Sequence, residues 1–231
     1  MRVLGIETST PVVSVAVAAD SQVLGEFSLT TKRGHMEHLL PLIDQLLDGL
    51  GIAVDDLDGF AASVGPGSFT SLRVGLATCK ALAHSVNKPV ADVPTLDVLA
   101  WELQGTSGLI CPVLTARRNE VYTAVYVSSH SGIKRLSSYL ALNPLGLAQR
   151  LQGELRTKIT FTGEGAKKHW TSFQDCLEDR AFLADPARML PRAGQTAILG
   201  TEILSREGGK EPGSVEALYI KSPAIRRRSS R

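Results

Sequence analysis

The sequence lacks the bulk features that mark a nucleic-acid-binding or membrane protein. Its formal net charge is only +2, which by itself is too small to indicate either partner. Aromatic residues make up only 5% of the chain, so a row of rings for stacking bases is not expected. No apolar run approaches the length of a membrane span, and Glu7 arrives too early for a signal peptide. We therefore expect a cytoplasmic protein with no membrane contact.

Cysteine is also scarce. The three residues Cys79, Cys111 and Cys176 are scattered and form no CxxC pair, which suits a reducing compartment. The 231 residues are 43% hydrophobic and 21% charged, which is enough for a buried core in one large domain or two small ones.

The most informative stretch that the chain does contain is a glycine loop made of Gly65, Pro66, Gly67, Ser68, Phe69 and Thr70. An apolar run at 59–64 precedes the loop, and a helical pattern at 71–86 follows it. A strand, a glycine turn and a helix start are typical of phosphate binding, because the first helical turn leaves N–H groups free. The Gly-Lys-Ser/Thr ending of a Walker A loop is missing, so we interpret the loop as a recognition element.

The hydroxyl groups in and after this loop are candidates for a nucleophile or for a helix cap. Ser68, Thr70 and Ser71 form no Gly-x-Ser-x-Gly elbow, and no general base is identifiable by spacing. We therefore expect these hydroxyls to cap a helix that begins near Ser71.

The first half of the chain reads as an alternating α/β unit. Three short strands are predicted at 3–7, 12–18 and 22–28. A helical pattern from Met36 to Leu50 follows, and Pro41 predicts that this helix either starts near Leu40 or is kinked. A strand at 59–64, the helix after the glycine loop, a strand at 90–93 and a helix at 95–103 complete the unit.

The second half repeats this order. Residues 104–108 form the best boundary, and strands are predicted after them at 109–115, 121–127 and 133–139, followed by a helix at 145–151. A further strand is predicted at 158–162, broken helices at 175–213, and a basic tail at 226–231. Two β-β-β-α units in tandem predict a duplicated, two-lobed α/β fold with lobes at 1–104 and 109–231.

Two such units describe the actin-like and sugar-kinase-like ATPase architecture, and short motifs narrow the resemblance to one family. The motifs are GIETST at 5–10, HMEHLLP at 35–41, GPGSFTSLRVG at 65–75, EVY at 120–122 and YIKSPA at 219–224. The chain resembles the TsaB (YeaZ) family, which takes part in bacterial tRNA threonylcarbamoyladenosine synthesis. It departs from the family pattern at Thr115, where aspartate is common, and at Ser71, where glycine is common.

The resemblance implies a non-catalytic scaffold that activates a paralogue, TsaD, which holds the metal and transfers threonylcarbamoyl to N6 of an adenosine in the tRNA anticodon loop. It implies that the ATPase TsaE joins the pair and that TsaC supplies threonylcarbamoyl-adenylate. ATP is then used by the wider complex, and this chain alone binds no cofactor. The partner surface of such proteins can also serve a homodimer when TsaD is absent, and the sequence does not decide whether this chain forms one. The tRNA is expected to bind only through the complex.

The resemblance also implies a partner surface on the two helices that follow the His-x-Glu segment and the glycine loop. The residues that it assigns to this surface are His35, Glu37, His38, Leu39, Arg73, Gly75, Leu76, Cys79 and Ala83. Gly75, Cys79 and Ala83 recur every four residues, so they form one helical stripe of small side chains. Such a stripe packs closely either on the protein's own sheet or on a partner helix, and the resemblance favours the partner helix.

The alternative function is that of a nucleotide-dependent ATPase or kinase of the same superfamily. Glu7 would then order Mg²⁺ and water, and Thr8 and Ser9 would contact phosphates. A working ATPase needs a second phosphate loop with an acidic residue and paired glycines, and residues 115–119 contain neither. We therefore favour a structural role for Glu7, Thr8 and Ser9 in a capped strand end and turn.

A metal site is suggested by His35 and His38, which are three residues apart and lie near Glu37. Metal sites generally need three or four ligands, and no third ligand cluster is evident in the sequence. We interpret both histidines as solvated or interface residues and expect no bound metal.

Overall fold

The computed structural model describes residues 1–31, 35–117, 119–129, 132–153 and 157–220, which form two β-sheets with helices on their faces. The strands of the first sheet are β1 (Arg2–Glu7), β2 (Val12–Ala19), β3 (Gln22–Thr30), β4 (Gly59–Gly65) and β5 (Val90–Pro94). The helices that follow β3, β4 and β5 are α1 (His35–Leu50), α2 (Phe69–Ser85) and α3 (Thr95–Trp101).

The first sheet has the strand order β3-β2-β1-β4-β5. The first three strands pair antiparallel, whereas β1, β4 and β5 run parallel. All of β4, and β1 beyond Arg2, are buried because helices cover this part of the sheet. Since β1 and β4 are parallel neighbours, the turn after β1 and the glycine loop after β4 meet at one edge of the sheet.

The second half repeats this topology. Its strands are β6 (Leu109–Thr115), β7 (Val121–Thr123), β8 (Tyr126–Ser129), β9 (Gly132–Arg135), β10 (Leu140–Leu142), β11 (Ile159–Thr162) and β12 (Ala181–Leu183). Its helices are α4 (Pro144–Gly153), α5 (Glu164–Lys168) and α6 (Trp170–Leu177). Along the path β10-β7-β6-β11-β12, β6 pairs antiparallel with β7 and parallel with β11, as β1 does with β2 and β4. The predicted duplication is therefore confirmed.

Two strands predicted in the second half differ from the structure. The strand predicted at 121–127 is two strands, β7 and β8, and the strand predicted at 133–139 is replaced by β9 and β10. The physical reason is that β7 pairs with the carboxyl end of β6, whereas β8 pairs with its amino end. Ala124 and Val125, between the two strands, are buried like their neighbours, so the hydrophobic pattern alone does not reveal the break.

Two helix starts also differ from prediction. α1 begins at His35 and contains Pro41, so the alternative start near Leu40 is wrong. Proline removes one backbone hydrogen bond from the helix, and burial of apolar residues such as Leu39 and Ile43 offsets that loss. α2 begins at Phe69, inside the glycine loop.

The last helix, α7 (Ala193–Glu207), returns to the first sheet and packs on β1, β2, β4 and β5. Gly5 allows α7 to approach β1 closely, because a Cβ atom at this position would lie only 2.6 Å from the Ala193 carbonyl oxygen. Val215 is then buried in the core of the same lobe. The predicted second lobe at 109–231 therefore differs from the structure, in which residues 193–218 complete the lobe predicted at 1–104.

The remaining predictions concern thiols, membrane helices and the tail. Cys79, Cys111 and Cys176 carry free thiols, and burial raises the pKa of Cys79 to about 12. Within the described ranges, no helix combines the length and the apolar character needed to cross a bilayer. The basic run at 226–231 lies outside the described residues.

Candidate functional site

The glycine loop is bound to the turn that follows β1. The Ser68 N–H group donates to the Ser9 carbonyl oxygen at 2.8 Å. A Cβ atom at Gly67 would lie 2.3 Å from that oxygen, so glycine is required for this approach. In open α/β sheets ligands bind outside the carboxyl ends of the strands, and here these two segments occupy that place with their own backbone.

Glu7, Thr8 and Ser9 come together in the turn after β1, where the Ser9 N–H and the Thr8 hydroxyl bind acceptors of the protein itself, while the second Glu7 carboxylate oxygen and the Ser9 hydroxyl have no hydrogen-bond partner among the described residues. The Glu7 side chain is fully buried, and its carboxylate accepts a hydrogen bond from the Ser9 N–H at 2.6 Å. The Thr8 hydroxyl donates to the Ser71 carbonyl oxygen at 3.0 Å. Burial raises the pKa of Glu7, and hydrogen bonds from Ser9 oppose that shift. The Ser9 N–H and the Thr8 hydroxyl are therefore already hydrogen-bonded inside the protein.

The equivalent turn after β6 is held by a carboxylate that the sequence reasoning missed. Glu164 accepts hydrogen bonds from the N–H and the hydroxyl of Thr115, both at 2.9 Å. Gly163, with φ +94°, precedes it and lies so close to β6 that a Cβ atom would be 2.3 Å from the Val113 carbonyl oxygen. The signal available in the sequence was Gly-Glu-Gly directly after the strand at 159–162. Thr115 is thus bound by a carboxylate of the protein itself.

The predicted capping role of the loop hydroxyls is wrong. Ser68 is the residue before α2, but its side chain makes no capping hydrogen bond to the helix backbone. Its hydroxyl instead pairs with the Ser71 hydroxyl at 3.0 Å. The reason is local: the hydroxyl of Ser71, the third residue of α2, is the partner of the Ser68 side chain in place of a free backbone N–H group.

The predicted groove of small residues on α2 is also wrong, because that stripe faces inward. A Cβ atom at Gly75 would lie 2.2 Å from the Thr8 hydroxyl oxygen, so Gly75 is the contact between α2 and the turn after β1. Cys79 and Ala83 are fully buried in the core of the first lobe. Leu39 and Leu76, assigned to the same partner surface, are buried there as well.

Part of the outward side of α1 and α2 is open and combines exposed apolar side chains with a few polar ones. We call it the α1–α2 face and define it by Met36, Glu37, Leu40, Phe69, Arg73 and Ala77, all of which are exposed. Met36 is 74% exposed, Leu40 54% and Phe69 40%. An open groove runs from Met36 past Phe69 and Arg73, and another lies between the helices beside Leu40. Contiguous apolar area of this kind marks interaction sites.

The two histidines lie at the start of α1. His38 is half-buried, and the side chain of His35 lies outside the described part of the structure. Among the described residues, no group of three or more histidine, cysteine, aspartate or glutamate side chains is placed to hold a metal ion. The metal-free interpretation of His35, Glu37 and His38 stays a prediction.

The duplicated lobes, with a turn at the carboxyl end of each central strand, define a protein of the actin-like and sugar-kinase-like fold class. A family model described as "TsaD: tRNA N6-adenosine threonylcarbamoyltransferase" matches residues 22–205. This match covers most of the chain, and the chain belongs to that family.

Individual relatives narrow the similarity further. The "tRNA threonylcarbamoyladenosine biosynthesis protein TsaB" of Bacillus subtilis is 29% identical over 87% of this chain and 88% of its own length. The protein of the same name from Escherichia coli is 29% identical over 96% and 95%. The structure of YeaZ from Pseudomonas aeruginosa is 25% identical, with a TM-score of 0.82 over 95% of this chain and 99% of the other. The predicted resemblance to the TsaB (YeaZ) family is confirmed.

Proposed function

We propose that this chain is a non-catalytic subunit that activates a TsaD-type transferase. The transferase would move threonylcarbamoyl to N6 of an adenosine in the anticodon loop of tRNA. One observation carries the proposal: in both lobes, donors of the strand-end turn are already bound by the protein itself. In the first lobe Glu7 binds the Ser9 N–H, and in the second Glu164 binds the N–H and hydroxyl of Thr115.

Phosphoryl chemistry requires preorganised donors that are free to stabilise developing negative charge. A donor that already binds a carboxylate must break that bond before it can bind a phosphate. An exposed carboxylate such as Glu164 also repels a phosphate at the same place. These two effects support a scaffold over the alternative, an ATPase or kinase that acts on its own.

The α1–α2 face supports the proposal that this chain binds a partner protein. It combines methionine, phenylalanine and arginine, which are enriched at protein interfaces. We assign this face to the transferase TsaD and, when TsaD is absent, to a second copy of this chain. TsaE would join the pair, TsaC would supply threonylcarbamoyl-adenylate, and ATP would be used by that wider complex. The tRNA would be bound through the complex rather than by this chain alone.

A reconstitution tests the proposal. The full chain is assayed for ATP hydrolysis alone, and then for tRNA modification with TsaD, TsaE and threonylcarbamoyl-adenylate. We expect no ATP turnover by the chain alone, and modification that depends on its addition to the mixture. Robust ATP turnover by the chain alone that disappears in Glu7→Ala would overturn the scaffold in favour of the ATPase.

A further inference from the structure

Three side chains from distant parts of the sequence form one exposed cluster at the start of α2. The Arg73 guanidinium lies 3.9 Å from the centroid of the Phe69 ring, and the Tyr219 ring centroid lies 5.9 Å from that of Phe69. Phe69 is 40% exposed and Tyr219 is 46% exposed. We call Phe69, Arg73 and Tyr219 the aromatic–arginine cluster. It borders the groove that begins at Met36.

Tyr219 reaches this cluster because the C-terminal segment is tied across α2. The Lys80 ammonium group donates to the carbonyl oxygens of Gly213 at 3.1 Å and Val215 at 3.0 Å. The Leu218 N–H donates to the Val64 carbonyl oxygen at 2.7 Å, directly before the glycine loop. Tyr219 thus directly follows the anchored residues 213–218, and the cluster is assembled before any partner arrives.

The composition of the cluster is that of a binding hot spot. Tyrosine and arginine are enriched among residues that dominate interface energies, and rigid, preassembled groups lose little entropy on binding. The neighbouring apolar groove supplies the surrounding area that excludes water.

Charge and ring geometry indicate the chemistry of the occupant. None of the described residues forms an ion pair with Arg73, so its guanidinium is available to an external carboxylate. A nucleobase fits less well, because the guanidinium already covers a face of Phe69 and the two rings are tilted by 38°. Stacking of bases needs an uncovered ring face.

We propose that the aromatic–arginine cluster is the main binding point, or anchor, of the α1–α2 face. It binds an acidic side chain of the transferase that has apolar side chains on either side of it. This inference rests on the proposed function. It makes the C-terminal segment up to Tyr219 part of the partner surface, in addition to the two helices.

Calorimetric titration of the full chain with purified TsaD tests the proposal. We expect Phe69→Ala and Tyr219→Ala each to weaken binding by about tenfold or more, since hot-spot truncations do so. Arg73→Glu should weaken it more than Arg73→Ala, because it places two carboxylates together. A matched control is Phe182→Ala on β12, where an exposed ring also carries a cation, Lys158 at 4.2 Å. This variant should bind within about twofold of wild type, as residues outside a hot spot do.

Four outcomes would overturn the inference, and thermal melting of each variant separates them from misfolding. If wild type itself shows no binding to TsaD, the proposed function fails and the anchor fails with it. If wild type binds and the folded Phe69 and Tyr219 variants bind equally well, the anchor alone fails. If the variants bind TsaD normally but lose self-association in sedimentation, the cluster is a homodimer contact. If they lose affinity for tRNA measured by anisotropy instead, the cluster binds nucleic acid.

Discussion

The two strand-end turns occupy equivalent places in the two lobes but differ in burial. The turn after β1 contains Glu7, which is fully buried, and is covered by the glycine loop. The turn after β6 is held by Glu164, which is exposed to solvent. The first turn is therefore part of the buried core, whereas the second is held by hydrogen bonds at the surface. Equivalent topology does not imply equivalent chemistry, and each turn has to be understood from its own contacts.

The largest loss of stability is expected from Gly75→Leu, because the new side chain clashes with the buried turn after β1. A side chain at Gly75 collides with the Thr8 hydroxyl, where even a Cβ atom would lie 2.2 Å away. Overpacking of this kind costs about 3 kcal/mol, which lowers the unfolding temperature of a chain of this size by roughly 6–12 °C. Differential scanning calorimetry measures the change.

The matched control for this variant is Ala77→Leu on the exposed side of the same helix. We expect it to leave the unfolding temperature within about 2 °C of wild type, because surface substitutions are usually nearly neutral. A normal unfolding temperature for Gly75→Leu, combined with weakened TsaD binding, would place Gly75 on the partner surface after all.

The second effect is a pH dependence of stability that arises from Glu7 in the buried turn. Burial raises the pKa of Glu7 above its ordinary value of 4.5. As pH rises above that value, the unfolded chain releases this proton first while the folded chain keeps it. Glu7 therefore lowers stability progressively until the folded group also ionises. We expect Glu7→Gln, which stays neutral, to lose this part of the decline.

Urea unfolding of wild type and Glu7→Gln between pH 4 and pH 8 would measure this difference. Glu164→Gln, the same substitution at an exposed carboxylate in the other turn, is measured beside it as the matched variant. Parallel profiles of stability against pH for wild type and Glu7→Gln would mean that Glu7 is ionised in the folded protein throughout this range. Burial of Glu7 would then not make stability depend on pH.

The smallest effect is expected from Glu164→Ala in the surface turn. The variant loses the two hydrogen bonds to Thr115, but water replaces them because the site is exposed. A net loss of about 1 kcal/mol corresponds to a fall of about 2–4 °C in the unfolding temperature. Glu202→Ala, an exposed carboxylate on α7, serves as the control for the charge change. A fall as large as that of Gly75→Leu would show that both turns are equally structural.

Sequence reasoning predicted the elements that local signals determine. The strands of the first lobe, the glycine loop and the repeated β-β-β-α order follow from periodicity and turn residues, and the structure contains them. The resemblance to the TsaB (YeaZ) family was likewise carried by contiguous motifs such as the one at 65–75.

The errors concern contacts between distant parts of the chain. A stripe of Gly75, Cys79 and Ala83 is equally compatible with packing on the protein's own sheet and with packing on a partner helix. The structure packs it inward, and the contact of Gly75 with Thr8, a residue remote in sequence, is the evidence. The return of α7 to the first sheet depends on small residues such as Gly5, which no local pattern identifies. Glu164 was missed because its partner, Thr115, lies on another strand.

The central claim is that the turn carboxylates hold the fold and that no transfer chemistry depends on them. The most direct measurement is the initial rate of tRNA modification when TsaD, TsaE and threonylcarbamoyl-adenylate are combined with a double variant, Glu7→Gln with Glu164→Ala. We predict a rate within about twofold of wild type, because neither carboxylate acts on a transition state. A loss of more than about tenfold, with folding and TsaD binding intact, would contradict the claim and show that the reaction depends on these carboxylates.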